Sequence, residues 1–281
     1  MGTTPFTVLM PVYRMDDAGF ARAAFDSATT SQQLKPERAV IVVDGPVGQS
    51  IGQWLDEVGQ RDDVTVVQLP ENGGLAHALN VGLQHVATPI VARVDADDIC
   101  LPQRFAVQVP MIESGYDVVG SAIAEFDDDP NEPQAVRPVD TDPDEIRRNA
   151  RMSSPLHHPS VVFRVDSVVQ AGGYPELNRM EDYLLWARMI MRGARIGNAP
   201  EPLVLYRVGS GAYSRRGGAA MARSEAQLQR AFYAMGFVTR RQYVRNKLMR
   251  GAIYRLMPTG LRRVTYRVWT WVRTPAGVRQ A

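Results

Sequence analysis

Four short apolar runs, at 7–10, 39–43, 64–69 and 90–94, alternate with amphipathic stretches at about 17–31, 48–59 and 75–87. In the first of these stretches Phe20, Ala21, Ala24, Phe25 and Ala28 recur at helical spacing. Strand-helix alternation of this kind predicts a parallel sheet with helices on both faces. Such sheets bind ligands outside the carboxyl ends of their strands. Three chemically marked segments fall at those ends: Pro11-Val12-Tyr13-Arg14, Asp44-Gly45-Pro46 and Asp95-Ala96-Asp97-Asp98.

The third segment places three carboxylates within four residues at the end of a β-branched run. In an extended chain Asp95 and Asp97, at i and i+2, point to the same side. Two close carboxylates repel unless a cation lies beside them. Mg²⁺ or Mn²⁺ suits that place, because a hard ion takes one or two carboxylates and completes its shell with water and substrate phosphates. The plainer alternative is a solvated acidic loop, with Asp98 capping the helix that Pro102 opens.

Beyond Asp98 a helix is expected at about 102–114 and a strand at 117–124. A polar, proline-rich loop follows at 127–142, then an apolar run at 160–164 after His157-His158-Pro159. Glu181-Asp182 opens an amphipathic helix through Arg192, and a strand at 203–207 precedes a glycine-rich stretch at 209–218. The net charge of +2 conceals a split: residues 215–281 carry 15 Lys and Arg against one acid, Glu225, while residues 1–214 sum to −12. That asymmetry suggests an acidic catalytic body and a basic segment that meets phosphate, lipid or nucleic acid. The lone cysteine, Cys100, excludes an intramolecular disulfide and fits a reducing compartment. Neither a secretory signal at the N-terminus nor a run of about 18 apolar residues is found, so no membrane span is expected.

Read in order, the motifs resemble a known pattern. They are Met10-Pro11-Val12-Tyr13, Val43-Asp44-Gly45, Asn72-Gly73-Gly74-Leu75 with Ala78-Leu79-Asn80, Asp95-Ala96-Asp97-Asp98, His158-Pro159-Ser160, Gly172-Gly173-Tyr174 and Glu181-Asp182-Tyr183-Leu184-Leu185-Trp186. Together they are similar to family 2 glycosyltransferases of the GT-A fold, over roughly residues 6–208. Within that family the chain most resembles bacterial exopolysaccharide transferases of the amylovoran type. Val43-Asp44-Gly45-Pro46 stands in place of the commoner double-Asp motif, and Tyr206-Arg207-Val208-Gly209 with Tyr213-Ser214-Arg215-Arg216-Gly217-Gly218 is similar to that subgroup's C-terminal signature.

The resemblance implies an α/β GT-A fold, with a Rossmann-like mostly parallel sheet, helices on both faces and a basic helical C-terminal extension. The expected domains are a catalytic unit at 1–208, with a nucleotide-sugar half to about 98 and an acceptor half after it, and the extension at 209–281. It also implies transfer of a sugar, with inversion, from a nucleotide diphosphate donor, UDP-linked for preference, to a saccharide or lipid-linked saccharide in exopolysaccharide or cell-surface polysaccharide synthesis. The metal falls to Asp97 and Asp95. Pro11, Tyr13, Asp44, Asn72, Gly74, Asn80, Arg93 and Asp95 fall to the nucleotide-sugar, with Asp44 reading uracil. Asp182, aided by Glu181, is the base that takes the acceptor proton. His158 and Trp186 lie on the acceptor side.

Local chemistry offers an alternative at several of these positions. Asp44 can simply close an Asx-turn. Asn72 can cap a helix while the glycines make a turn, although a helix N-terminus behind glycines also suits phosphate. Arg93 can neutralise a pyrophosphate or pair with a structural carboxylate. Glu181-Asp182 can complement a helix dipole. Adjacent His157 and His158 lack the helical spacing of a metal pair. Some family members carry a histidine metal ligand near the end of the catalytic domain, and 206–213 here has none.

The basic segment interleaves Tyr243, Leu248, Ile253, Tyr254, Leu256, Met257, Val264, Tyr266, Val268, Trp269 and Trp271 with Arg and Lys. It reads either as an interfacial helix on an anionic membrane or as a cap packed on the body. No nucleic-acid-binding fold accompanies its charge. The expected location is cytoplasmic, or peripheral at the inner face of the plasma membrane. Two rival readings remain. A nucleotidyltransferase would carry a glycine-rich basic loop where Met10-Pro11-Val12-Tyr13-Arg14 stands. A non-enzymatic basic binding protein would owe its function to the tail alone.

Overall fold

The structure is a computed structural model that describes residues 3–208 and 218–256. A nine-stranded sheet runs in the order β3(Val64–Gln68), β2(Arg38–Asp44), β1(Phe6–Tyr13), β4(Ile90–Arg93), β8(Val162–Arg164), β6(Val118–Phe126), β9(Ile196–Arg207), β5(Ile99–Cys100), with β7(Ala135–Arg137) paired to β6. The β3-β2-β1-β4 half is parallel throughout. The other half is mixed: β8 runs antiparallel to both β4 and β6, β9 parallel to β6, and β5 antiparallel to β9. The expected mostly parallel sheet therefore describes the first half, and the whole is a mixed α/β fold.

Period-two alternation in β1 sorts its side chains onto two cores. Phe6, Val8, Met10 and Val12 pack with α1(Ala18–Ala28), α2(Gln49–Val58) and α4(Arg104–Glu113). Leu9 faces the opposite way, toward α3(Leu75–Gln84), α6(Val165–Gln170) and α7(Glu181–Met191). The chain travels from β1 outward to β2 and β3, then returns to place β4 on the other side of β1. That reversal opens a crevice at the carboxyl ends of β1 and β4.

A helix and a strand lie where the sequence shows little pattern. The 127–142 stretch includes β7, and α5(Pro143–Asn149) follows at once. Its start signals are present, since Asp142 caps the amides of Asp144 and Glu145 and Pro143 opens the first turn. With only Ile146 buried, α5 has no periodicity to read. The strand expected at 203–207 begins at Ile196. Pro200 and Pro202 disguise its first half, and the register shifts between Ser121 and Ile123 of β6 accommodate them.

After residues 209–217 the chain forms α8(Gly218–Ala234) and α9(Arg240–Leu256). Leu228, Phe232, Phe237 and Val238 pack on Met180, Tyr183, Leu184 and Ala187 of the α7 region. This part of the basic segment is thus a cap on the catalytic body. Met257, Val264, Tyr266, Val268, Trp269 and Trp271 lie outside the described residues, as does the 209–217 stretch. Among the described residues no helix is long and apolar enough to cross a membrane.

Candidate active site

The acidic turn after β4 sits at the crevice. Arg93, 2% exposed, points along the strand end and grips Asp95 with both terminal nitrogens, one at 2.6 Å. Of the two roles open to Arg93, the carboxylate partner is present. Arg104, also fully buried, donates to the Arg93 carbonyl at 2.8 Å and the Val161 carbonyl at 3.3 Å, and so fixes where β4 ends. Asp98 does not cap α4, which starts after Gln103 without a side-chain cap. Instead its Oδ1 accepts the Arg207 amide at 2.8 Å, and among the described residues its buried Oδ2 finds no partner. The Arg207 guanidinium donates to the Asp97 carbonyl at 3.1 Å and lies between the rings of Phe20 and Phe126.

A further carboxylate joins them, one that no sequence pattern marked. Asp16 accepts the Tyr13 amide at 2.9 Å just after β1. Burial, then the charges of Asp97 and Asp95, push its pKa up to about 7. Burial and the Asp95 charge likewise raise Asp97. Asp98 is raised well above the carboxylate range by burial and by Asp95 and Asp97. The crevice therefore gathers four carboxyl groups, Asp16, Asp95, Asp97 and Asp98, around Arg93 and Arg207, and burial and mutual repulsion oppose the ionisation of Asp16, Asp97 and Asp98. These hard oxygen donors fit a divalent cation. Among the described residues no three His, Cys, Asp or Glu side chains form a ready cage, so ligands from substrate phosphates and water would complete the shell.

At the end of β2, Asp44 is buried and clamps the next loop. Its Oδ1 accepts the Gly73 amide at 2.7 Å, and its Oδ2 accepts the Gly74 amide and the Asn72 side-chain amide, each at 2.9 Å. These bonds reach across to the 72–74 loop and do not close an Asx-turn at Asp44 itself, where Pro46 has no N–H to donate. A carboxylate offers about four acceptor positions, so one is left. Gly45 and Gly74 have φ of +83° and +86°. A Cβ on Gly45 would stand 2.7 Å from the Asn72 backbone nitrogen, so the close approach of the two loops requires glycine there. Half-buried Pro11 and Tyr13, 43% exposed, line the end of neighbouring β1.

The second acidic centre comes from α7. Arg179 (φ +67°) precedes it, a left-handed conformation uncommon for a side-chain-bearing residue. Glu181 is buried, and burial raises its pKa. Asp182 is pushed up to about 7, first by burial and then by the Glu181 charge. The Arg93 charge opposes both shifts, so the two acidic centres share one guanidinium. Between them stand His158 and Tyr174, linked Nε2 to hydroxyl at 3.1 Å. Burial, reinforced by Arg93, holds His158 well below its usual pKa, so the ring is neutral. Burial raises the Tyr174 phenol; Arg93 opposes this, and Asp182 and Glu181 add to it.

Two expected contacts have other employment. The Asn80 side chain accepts the Tyr174 amide and donates to the Tyr174 carbonyl, both at 2.8 Å, so it holds the 172–174 turn instead of facing solvent. Trp186 is 0% exposed and sits edge-on to His158 and Tyr174. It supports the acceptor side from beneath and offers no open face.

A parallel half-sheet ending in a carboxylate crevice, joined to a mixed half that brings a second carboxylate pair across it, defines a GT-A-type nucleotide-sugar transferase. The chain belongs to glycosyl transferase family 2, whose model matches residues 7–168. It is 35% identical to an amylovoran biosynthesis glycosyltransferase, AmsE, of Erwinia amylovora, covering 93% of this chain and 97% of that one. It is 29% identical to the Escherichia coli UDP-Gal:α-D-GlcNAc-diphosphoundecaprenol β-1,3-galactosyltransferase, covering 94% and 96%. Its fold matches a mannosyltransferase of Pyrobaculum calidifontis, solved with GDP-Man and Mn²⁺, at a TM-score of 0.63 and 17% identity, covering 99% of this chain and 78% of that one.

Proposed function

We propose that this glycosyltransferase moves a sugar from a UDP-linked donor to a lipid-linked saccharide, with inversion and with help from a divalent cation, in the synthesis of a cell-surface polysaccharide. The observation that carries the reading is the shared Arg93, which couples the crevice at Asp95 and Asp97 to Asp182 on α7. The donor diphosphate and the acceptor hydroxyl need such a pair of opposed sites. The E. coli relative is named for a UDP-Gal donor and a diphosphoundecaprenol acceptor, and the mannosyltransferase carries Mn²⁺.

In this reading Asp97, with Asp95, would hold the cation, which when bound supplies positive charge to the leaving diphosphate. Pro11, Tyr13 and the Asn72–Gly74 loop border the nucleotide, and the remaining acceptor position of Asp44 suits the N–H of uracil. Asp182 takes the proton of the acceptor hydroxyl as its oxygen bonds to the anomeric carbon. The bond from that carbon to the diphosphate oxygen breaks on the opposite face. A carboxylate with a pKa near 7 is a stronger base than an ordinary one and is still substantially ionised at neutral pH. Neutral His158 and Tyr174 form the wall between donor and acceptor. A lipid-borne acceptor would place the enzyme at the inner face of the plasma membrane.

Incubation with UDP-sugars, Mn²⁺ and a lipid-diphosphate-linked sugar tests this. UDP release that requires both metal and acceptor is expected. Pyrophosphate release from UTP and a sugar 1-phosphate would instead establish a nucleotidyltransferase.

A further inference from the structure

Helix α9 is built with its polarity reversed. Along 240–250 its inward side is polar. Asn246, 2% exposed, donates to the Arg151 carbonyl at 2.8 Å and to Gln229 at 3.2 Å, and Gln229 donates to Glu225 at 3.0 Å. Arg250 donates to Glu225 at 2.6 Å and to the Met152 carbonyl. This chain of bonds fastens the helix to α8 and to the 150–152 turn.

Its outward side is apolar and cationic. At helical spacing, Arg241, Val244, Arg245 and Leu248 form one stripe, flanked by Lys247 and Met249. Val244 is 47% exposed, Leu248 70% and Met249 50%. From Arg240 to Arg250 there are five cations and no acid. On the adjoining α8, Tyr233 is 48% exposed and stacks on Tyr243 of α9 at 5.2 Å. A helix that only capped the body would turn these apolar groups inward and leave its polar chain outside. Long Arg and Lys side chains around an apolar strip suit a lipid interface, with the cations at anionic headgroups and the aliphatic groups just below them.

We infer that the outward stripe of α9, Arg241, Val244, Arg245, Lys247, Leu248 and Met249, docks the enzyme on an anionic lipid surface. The surface deepens the lipid-linked acceptor reading and gives it a location. Because α8 and α9 pack on α7, docking through this stripe brings the acceptor side, with Asp182, to the membrane at which such an acceptor resides.

The test is co-sedimentation of the full chain with vesicles, either phosphatidylcholine alone or mixed with phosphatidylglycerol. Wild type, Val244→Ser/Leu248→Ser and Arg241→Gln/Arg245→Gln/Lys247→Gln are compared. All five positions are at the surface, and UDP binding by each variant, expected at the wild-type level, reports on the donor reading separately. Wild type is expected to pellet with the mixed vesicles only. The triple variant should lose on the order of 100-fold in partitioning and the double variant roughly 10-fold. No wild-type binding to mixed vesicles overturns the inference. Binding that both variants retain overturns it by placing the contact elsewhere. Binding lost only in the triple variant, with equal affinity for a DNA duplex, reduces the face to a general polyanion surface and overturns it too.

Discussion

At Asp182 the sign of the electrostatics sets two opposite expectations. Its pKa of about 7 lies far above the ordinary 3.8 of an aspartate. As a base it must be ionised, so turnover should rise with pH through about 7 and then level off. Asp182→Asn should lose on the order of 10²–10⁴ in kcat and lose that pH step, read in a UDP-release assay across pH 5–9. Stability runs the other way. The folded state keeps a proton that the unfolded chain releases above 3.8, so this group's stabilising contribution is complete below that pH. It is gone once the pH exceeds 7. Asp182→Asn should therefore melt higher than wild type at pH 8 and level with it near pH 4. A gain of about 2–4 °C is expected for each kcal/mol of relieved burial.

Residue identity in the sequence carried most of the site. Asp95, Asp97, Asp44 and Glu181-Asp182 fall at element ends that periodicity locates. Asp16 was invisible, because its relevance arises where β1 and β4 become neighbours, 80 residues apart in the chain. Asn80 and Trp186 fall in the matched motifs, yet their side chains are spent on the 172–174 turn and the core. A motif records position, whereas burial and hydrogen bonding decide what a side chain is free to do.

At the scale of elements, the β2 end and the α3 start behave as one clamp. Gly45→Ala would place a methyl group 2.7 Å from the Asn72 backbone nitrogen at a φ of +83°. It should cost about 1–3 kcal/mol in stability, read as a lower urea midpoint. By pushing the loop off Asp44 it should also weaken UDP binding by at least tenfold in calorimetry. Wild-type affinity in a folded Gly45→Ala protein would detach this loop from the nucleotide. The parallel half of the sheet was legible because its strands alternate with amphipathic helices. The mixed half was legible only in part: the helices at about 102–114 and from Glu181 and the strand at 117–124 lie where expected, but its smaller elements and pairing directions were not readable. β8 and β7 have three residues each, α5 buries one side chain, and two prolines interrupt β9. Such elements are held by tertiary pairing and have no local period of their own.

Across the whole molecule, the basic segment and the acidic body are a single structure wherever α8 and α9 are described. Phe232 is fully buried between Tyr183 and Phe237, with ring centroids 5.0 and 4.9 Å away. Phe232→Ala should cost about 3–5 kcal/mol, seen as a fall in the urea midpoint. Because Tyr183 directly follows Asp182, the proposed base, kcat should fall while UDP affinity holds. The charge split marked two regions of opposite charge in the sequence, but it could not reveal that the cationic helix buries its polar side.

The central claim is that the crevice between β1 and β4 binds a nucleoside diphosphate together with a divalent cation. Calorimetry of UDP and GDP, with and without Mn²⁺, on wild type and Asp97→Ala tests it most directly. Metal-dependent UDP binding by wild type, stronger than GDP and lost in Asp97→Ala, is the expected result. Binding of neither nucleotide by folded wild type, or unchanged metal-dependent binding by Asp97→Ala, would contradict the account.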